Sequence, residues 1–197
     1  SIIFKYDLIK HTNLGNVNVF YSDHYLSHTL SGLFYKPNSS YAAIVADGYG
    51  DHLCSAIHHV KSPREIETVW ESEYPHSIGL FYSAITDFLG FLVNEGEYKV
   101  MGLAAFGQPN YYKELEKTFF YQNNQLLIDD SYYDFVRSTK NSFSEELVSL
   151  LKIAPRKSNK HLDISSKDFQ IYADIACSAQ KLTEDILIKI FKNAHEI

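Results

Sequence analysis

The spacing of hydrophobic and polar residues differs along the chain, with some segments following the period of strands and others the period of helices. Apolar runs separated by short turns rich in Gly, Pro and acidic residues predict strands at 42–46, 53–60 and 66–72. Because their connections are short, we expect these strands to form an antiparallel meander. A shorter apolar run at 17–21 predicts one further strand ahead of the meander.

Apolar residues at helical spacing predict three main helices. The first covers 23–34, with Asp23 suited to be its N-cap. The second follows Ser77 and covers 78–93, which is shorter than the roughly 20 residues of a membrane span and carries an aspartate and two glycines. We therefore expect it to be a buried helix. The third begins at Asp168 and continues to the end of the chain.

The segments between these helices are less regular. Three glycines and a final proline predict a connecting loop at 94–109, and a short helix begins near Asn110. The more polar region 122–162 predicts a small hairpin and a short helix. Together the elements predict an α/β chain of mixed α+β type, with a mixed sheet and flanking helices. Neither GxGxxG before a helix nor GxxxxGK[ST] occurs, which excludes the two common nucleotide loops.

Composition restricts the class of protein. The 197 residues are 45% hydrophobic, which is enough for a buried core in one or two domains. A net charge of −6 argues against a general nucleic-acid binder. Cys54 and Cys177 form no CxxC pair, so we expect a reduced, cytoplasmic setting. The first residues lack the basic head, apolar core and cleavage site of a secretory leader, so we expect no leader, and we expect no membrane segment. Because a helical pattern is still running at residue 197, we expect the chain to be part of a longer protein.

His24 and His28 are the first candidates for chemistry. In a helix, residues four apart share one face, with Cβ atoms about 5–6 Å apart. Both imidazoles can then reach one metal ion at about 2.0–2.1 Å. The simpler interpretation is two polar residues on the flank of a helix, and the spacing alone does not exclude it.

The acidic stretch DGYGD, 47–51, is the second candidate. A hairpin turn by itself explains Gly48 and Gly50. Alternatively, bare backbone N–H groups at these glycines contact a phosphate, while Asp47 at the end of a strand binds a metal or a hydroxyl. A carboxylate beside two imidazoles forms a mixed N/O site that suits Zn, Fe or Mn.

Two charged residues lie in the glycine-rich segment 96–107. The simplest interpretation of Glu97 and Lys99 is a solvated loop between two helices. The functional alternative is that the loop holds Lys99 and backbone amides against an anionic ligand.

Four motifs occur in a fixed order along the chain. They are DHYLSH (23–28), VADGYGD (45–51), PHSIGLFYSAITDFLGF (75–91) and NEGEYKVMGLAAFG (94–107). Together they resemble the carbamoyltransferase family, which includes nodulation-factor and antibiotic O-carbamoyltransferases. The stretch YADIACSAQKLTEDIL (172–187) is also similar to a helix of that family.

The resemblance implies a fold and a domain organisation. The larger domain of the family has an actin/Hsp70-type ATPase fold, which is ribonuclease H-like, and a YrdC-like domain follows it. Residues 1–197 are then a single partial domain, the N-terminal half of the actin-like domain. The second half and the YrdC-like domain are absent from this chain, so we expect it to be inactive alone.

The resemblance also implies a reaction. In the family, the YrdC-like domain makes carbamoyl-adenylate from ATP and carbamoyl phosphate. The actin-like domain then passes the carbamoyl group, with a divalent metal, to a hydroxyl of a sugar or another small molecule. The family's metal ligands fall on His24, His28 and Asp47. Tyr25 stands where the family usually has a further histidine that is not a ligand.

The remaining predictions concern the ligand and the partners. Carbamoyl-adenylate is expected at Gly48 and Gly50 of the acidic stretch and at Glu97 and Lys99. The expected partners are the hydroxyl acceptor, the missing half, the YrdC-like domain and, through an apolar surface left exposed, a second copy of the chain.

Two alternative functions stay open. Threonylcarbamoyl transfer to tRNA is one, and the acidic charge together with the EYKVMGLA string disfavours it. A non-catalytic nucleotide- or partner-binding module of the same fold is the other. It predicts that His24, His28 and Asp47 do not meet.

Overall fold

Helices and antiparallel strands make up the part of the chain that the computed structural model describes, residues 20, 22–32, 39–138, 141–158 and 162–196. Short 3-10 helices occur at Asp130–Tyr132 and Asp134–Val136. In chain order the other elements are α1 (His24–Ser31), β1 (Tyr41–Gly50), β2 (Leu53–Ser62), β3 (Glu65–Glu73), α2 (Ile78–Phe88), α3 (Glu97–Ala104), α4 (Tyr112–Glu116), β4 (Phe119–Gln122), β5 (Gln125–Ile128), α5 (Glu145–Leu151) and α6 (Lys167–Glu196).

The central sheet is an antiparallel meander in the order β1-β2-β3. The predicted meander is therefore confirmed, as are the mixed α+β class and the small hairpin, which is β4–β5. The sheet was expected to be mixed, but every pairing among the described strands is antiparallel. The strand predicted at 17–21 lies outside the described residues except for Phe20, which is in no strand.

The turn between the first two strands is shorter than predicted. DGYGD was expected to be a loop, but β1 continues to Gly50 and only Asp51 and His52 form the turn. Asp51 has a φ of 55°, a left-handed conformation that aspartate tolerates, so the turn does not need a glycine. Within β1 the register with β2 shifts between Ala46 and Gly50. The two glycines are thus part of an irregular strand end.

The sheet is covered on both faces. Val45 and Ala56 form a small apolar cluster with Tyr25 of α1. Their neighbours Ile44 and Ile57 pack in the larger core, which also contains the buried side of α2. Because successive residues of a strand point to opposite faces, α1 and the larger core lie on opposite sides of the meander.

Helix α2 is fixed at both ends. At its N-terminus the Ser77 hydroxyl accepts a hydrogen bond from the backbone N–H of Leu80, as the predicted N-cap requires. At its C-terminus the buried Arg156 guanidinium donates to the carbonyls of Leu89 and Gly90. Burial lowers the pKa of Arg156, but these carbonyls and the ring of Phe91 surround the group. No local sequence pattern predicts this contact at the end of α2.

The segment 94–109 is not the loop that its glycines predicted, because Glu97–Ala104 forms α3. Val100 and Leu103 of α3 are buried in the core, where α3 packs on α6. This burial outweighs the low helix propensity of Gly102. A Cβ added at Gly102 would have no atom within 4 Å, so close packing does not require glycine there. The other predicted helices, near Asn110, in the polar region and at the end of the chain, are confirmed as α4, α5 and α6.

The described helices include no candidate for a membrane span, since none combines the required length and apolar character.

Candidate metal centre

Helix α1 is held on the sheet by polar contacts at both ends and by one buried ring. The Asp23 carboxylate accepts from the backbone N–H of Leu26 at 2.7 Å, which confirms the predicted N-cap. The Asp51 carboxylate accepts from the first helical N–H at 3.1 Å. In the next turn, Thr29 Oγ1 lies 2.6 Å from Nδ1 of the buried His58 on β2. These contacts fix the face of α1 that carries the two histidines.

Three candidate side chains converge where α1 meets the end of β1. Nε2 of His24 lies 2.7 Å from Oδ2 of Asp47 and 3.2 Å from Nε2 of His28. Nε2 of His28 lies 3.6 Å from the same carboxylate oxygen. The two histidines therefore do not project from the helix as independent surface residues. Among the described residues, this is the cluster of His, Cys, Asp or Glu atoms that could hold a metal ion.

The spacing of the three atoms fits a single small cation. A circle through the two nitrogens and the oxygen has a radius of about 1.9 Å, slightly shorter than the 2.0–2.2 Å bonds that zinc makes to imidazole and carboxylate. One ion can therefore contact all three atoms at once. The side chains of His24, His28 and Asp47 are 37%, 51% and 40% exposed, so an ion can enter and further ligands can reach it.

The carboxylate of Asp47 is kept ionised. Its burial opposes ionisation, but hydrogen bonds from His24 and from the backbone N–H of Gly48 outweigh burial and lower the pKa of Asp47. A negative charge beside two imidazoles gives the donor set of a divalent metal site. The chemistry of the residues therefore agrees with the spacing of their atoms.

The two glycines of the acidic stretch have different surroundings. A Cβ at Gly50 would lie 2.6 Å from Nε2 of His24 and closer still to the ring carbons, so the imidazole occupies the space of a side chain. A Cβ at Gly48 would meet nothing within 4 Å. Gly50 thus has a steric reason to be glycine. The anion-binding role expected of both residues stays a prediction.

Tyr25 is buried and is not a member of the metal cluster. The ring is 1% exposed and packs with Val45, Leu53 and Ala56 under the helix. Burial, together with the nearby Cys54 and Asp47, raises the pKa of Tyr25, so the phenol stays neutral. A tyrosine after the first histidine therefore leaves the cluster of three intact.

Glu97 and Lys99 belong to a different element. They lie on α3, whose main contacts are with α2 and α6, whereas the three metal candidates lie on α1 and β1. Both carboxylate oxygens of Glu97 accept hydrogen bonds, from Ser83 Oγ and from the backbone N–H groups of Asn94 and Gly96. Glu97 therefore fixes the start of its own helix. The ligand-binding role expected of these two residues stays a prediction.

The structural role of Glu97 predicts a pH-dependent contribution to stability. Burial opposes its ionisation, but hydrogen bonds, the first of them from Asn94, lower its pKa below the usual 4.5. The ionised carboxylate therefore stabilises the folded chain above pH 4.5, and that contribution is lost as the pH falls through the lower folded-state pKa. Glu97→Gln should lower the free energy of unfolding by about 1 kcal/mol at pH 7, with a smaller difference at pH 3.

Urea unfolding at both pH values measures this difference. Glu95→Gln, a change of an exposed carboxylate two residues earlier, is the matched control and should alter stability little at either pH. An effect of Glu97→Gln that is the same at pH 7 and pH 3 would contradict the assignment.

Comparison with known proteins gives a consistent picture. A family model described as "Carbamoyltransferase N-terminus" matches residues 3–197. The uncharacterized protein sll1178 of Synechocystis is 30% identical over 178 residues, which cover 89% of this chain and 28% of that protein. The nodulation protein NolNO of Sinorhizobium fredii is 25% identical over 94% of this chain and 25% of its own length.

A second nodulation protein, NolO of Bradyrhizobium diazoefficiens, is 34% identical over 98 residues, half of this chain and 18% of that protein. The chain thus spans less than a third of the length of the curated relatives that it matches.

Proposed function

Because the chain belongs to the carbamoyltransferase family, whose N-terminal region it matches, we propose that His24, His28 and Asp47 hold the divalent metal of a carbamoyltransferase. The observation that carries the proposal is the convergence of two imidazole nitrogens and one carboxylate oxygen within 2.7–3.6 Å of each other. Zn, Fe and Mn are the ions that suit this donor set. The alternative function, a non-catalytic binding module, predicts that these three side chains do not meet. Their convergence therefore argues against that alternative.

Each residue contributes a distinct property to the centre. The two neutral imidazoles supply nitrogen donors without cancelling the charge of the ion, and the carboxylate supplies one negative charge. The ion, when bound, supplies Lewis-acid chemistry to the transferring group or its phosphate. The exposure of His28 leaves the outer side of the cluster open to substrate.

The reaction that we propose for the family's full-length polypeptide has two stages. Water first hydrolyses carbamoyl phosphate to carbamate and phosphate. A carbamate oxygen then forms a bond to the α-phosphorus of ATP, the bond from that phosphorus to pyrophosphate breaks, and carbamoyl-adenylate results. A hydroxyl oxygen of a small-molecule or sugar acceptor then forms a bond to the carbamoyl carbon, the bond from that carbon to the phosphate oxygen breaks, and AMP and the hydroxyl proton leave. The resemblance of the motifs and the family match support this proposal. The second half of the actin-like domain and a YrdC-like domain are its proposed partners.

The experiment that tests the proposal separates the two stages. In the full-length polypeptide, His28→Ala should leave the release of pyrophosphate from ATP and carbamoyl phosphate unchanged and abolish transfer of labelled carbamoyl groups to a panel of sugars that starts with glucose and N-acetylglucosamine. His195→Ala, an exposed histidine in the last turn of α6, is the control and should affect neither stage. Undiminished transfer by His28→Ala would reject the metal role.

A further inference from the structure

We propose that the first turn of α2 positions Asp47 for metal binding, through the hydroxyl of Ser77 and the bare backbone of Gly79. Ser77 contacts the backbone of Asp47 and Gly79 lies against the peptide that follows it, so neither residue is itself one of the three candidate ligands. Their role is to hold the strand end that carries the carboxylate. The inference rests on the proposed function, because it assigns positioning residues to the same centre.

The strand end has a need for such support, because its pairing with β2 is interrupted at Asp47. Among the strands that the structure describes, β1 pairs with β2 alone. The register between the two strands is regular up to Ala46 and resumes at Gly50, which faces Leu53. Asp47 lies inside this interruption, where β1 has no regular pairing with β2 to hold its backbone in place. Something other than β2 must therefore determine where its carboxylate points.

Ser77 supplies a polar contact to this segment. Its side chain is fully buried, and Oγ lies 2.6 Å from the carbonyl oxygen of Gly48 and 3.2 Å from that of Asp47. The hydroxyl donates to these carbonyls and at the same time accepts from the backbone N–H of Leu80 at 3.0 Å. The Ser77 side chain thus joins the start of α2 to Asp47, the proposed metal ligand, and to Gly48, the residue after it.

Gly79 supplies a steric contact from the same turn. A Cβ at this position would lie 2.7 Å from Cα and 2.8 Å from N of Gly48, and 2.9 Å from the carbonyl oxygen of Asp47. All three are backbone atoms, which cannot move aside as the end of a side chain can. The helix therefore rests directly on the peptide that joins Asp47 to Gly48, and only glycine permits that approach.

These contacts place the carboxylate in a defined position. Residues that hydrogen-bond behind a metal ligand typically change metal affinity by about 10–100-fold when they are removed. Ser77→Ala leaves the ligand set intact and removes the hydroxyl contact. Gly79→Ala keeps that contact and displaces the peptide instead. Both changes should therefore weaken metal binding by about tenfold or more without removing a ligand.

The test measures Co²⁺ binding by its visible absorption in the purified 197-residue chain, at a temperature where circular dichroism shows each variant to be folded. Ser166→Ala is the matched control. Ser166 caps α6 by accepting a hydrogen bond from the N–H of Phe169, and its hydroxyl donates to the carbonyl of Asp163 in the adjoining segment. Ser166→Ala should lower the thermal midpoint and leave the Co²⁺ dissociation constant unchanged. Ser77→Ala and Gly79→Ala should raise that constant and change the spectrum.

The outcomes separate this inference from the proposed function. Saturable Co²⁺ binding by the wild-type chain, with weaker binding by either folded variant, supports the positioning role. Saturable binding by the wild-type chain with unchanged constants in both variants overturns the positioning role alone. If Ser77→Ala does not fold, the constant of Gly79→Ala decides. An absence of saturable binding by the wild-type chain overturns the proposed metal centre and this inference with it.

Discussion

His24→Ala is expected to weaken the binding of Zn²⁺ or Co²⁺ to the chain by about 100-fold. His24 is the central member of the cluster, since its Nε2 lies closest to both Asp47 and His28. Structural zinc sites bind with about 10–16 kcal/mol from four ligands, so the loss of one ligand costs on the order of 3 kcal/mol. Isothermal titration of the purified chain measures the change.

The control separates this site from unspecific binding by histidines. His195→Ala removes an exposed imidazole from α6 and should leave the affinity unchanged. The unfolding midpoint of metal-free His24→Ala should stay near the wild-type value, because the imidazole is more than a third exposed. Equal affinities of wild type and His24→Ala would show that the metal binds elsewhere.

Gly50→Ala is expected to have the second largest effect, a loss of about 10–100-fold in metal affinity. The new methyl group would occupy the space of the His24 ring, and the ring must turn away from Asp47 to make room. The ligands all remain in the chain, so the loss would come from geometry alone. The same titration measures it, with circular dichroism to show that the fold is retained.

Gly48→Ala is the matched control for this change. It introduces the same methyl group two residues earlier in the same strand, where the structure shows no atom within 4 Å. Its metal affinity should stay within about twofold of wild type, in the range of ordinary surface substitutions. Similar losses in both variants would mean that any side chain in this strand end harms the site, and the specific contact with His24 would be rejected.

The sequence predicted the elements well where the apolar period was regular. The three strands and the helices after Asp23 and Ser77 follow directly from alternation, helical spacing and capping residues. It failed where tertiary packing decides. The glycines around Glu97 indicated a loop, but burial of Val100 and Leu103 against α6 makes the segment a helix.

The three candidate metal ligands could also be predicted from the sequence. A helix with histidines four apart gives two ligands by its period alone, and the resemblance of the motifs supplied Asp47. The distance of 2.7 Å between Oδ2 of Asp47 and Nε2 of His24 depends on contacts between distant segments, such as that of Thr29 with His58. A single sequence carries no direct signal for such pairs.

The supporting residues were the hardest to predict. Ser77 carried a local signal as an N-cap, but its contact with the carbonyl of Gly48 links positions 29 residues apart. Asp51 belonged to a predicted turn, and the structure shows that its carboxylate accepts a hydrogen bond from the first N–H of α1. The steric role of Gly50 required the position of the His24 ring. Each depends on packing across elements, which local patterns do not contain.

The most direct test of the metal centre is a crystal structure of the chain grown with Zn²⁺ and measured at the zinc absorption edge. The account predicts one strong anomalous peak within about 2.0–2.2 Å of Nε2 of His24, Nε2 of His28 and Oδ2 of Asp47. Peaks only at other positions, with the two imidazoles turned away from the carboxylate, would contradict it.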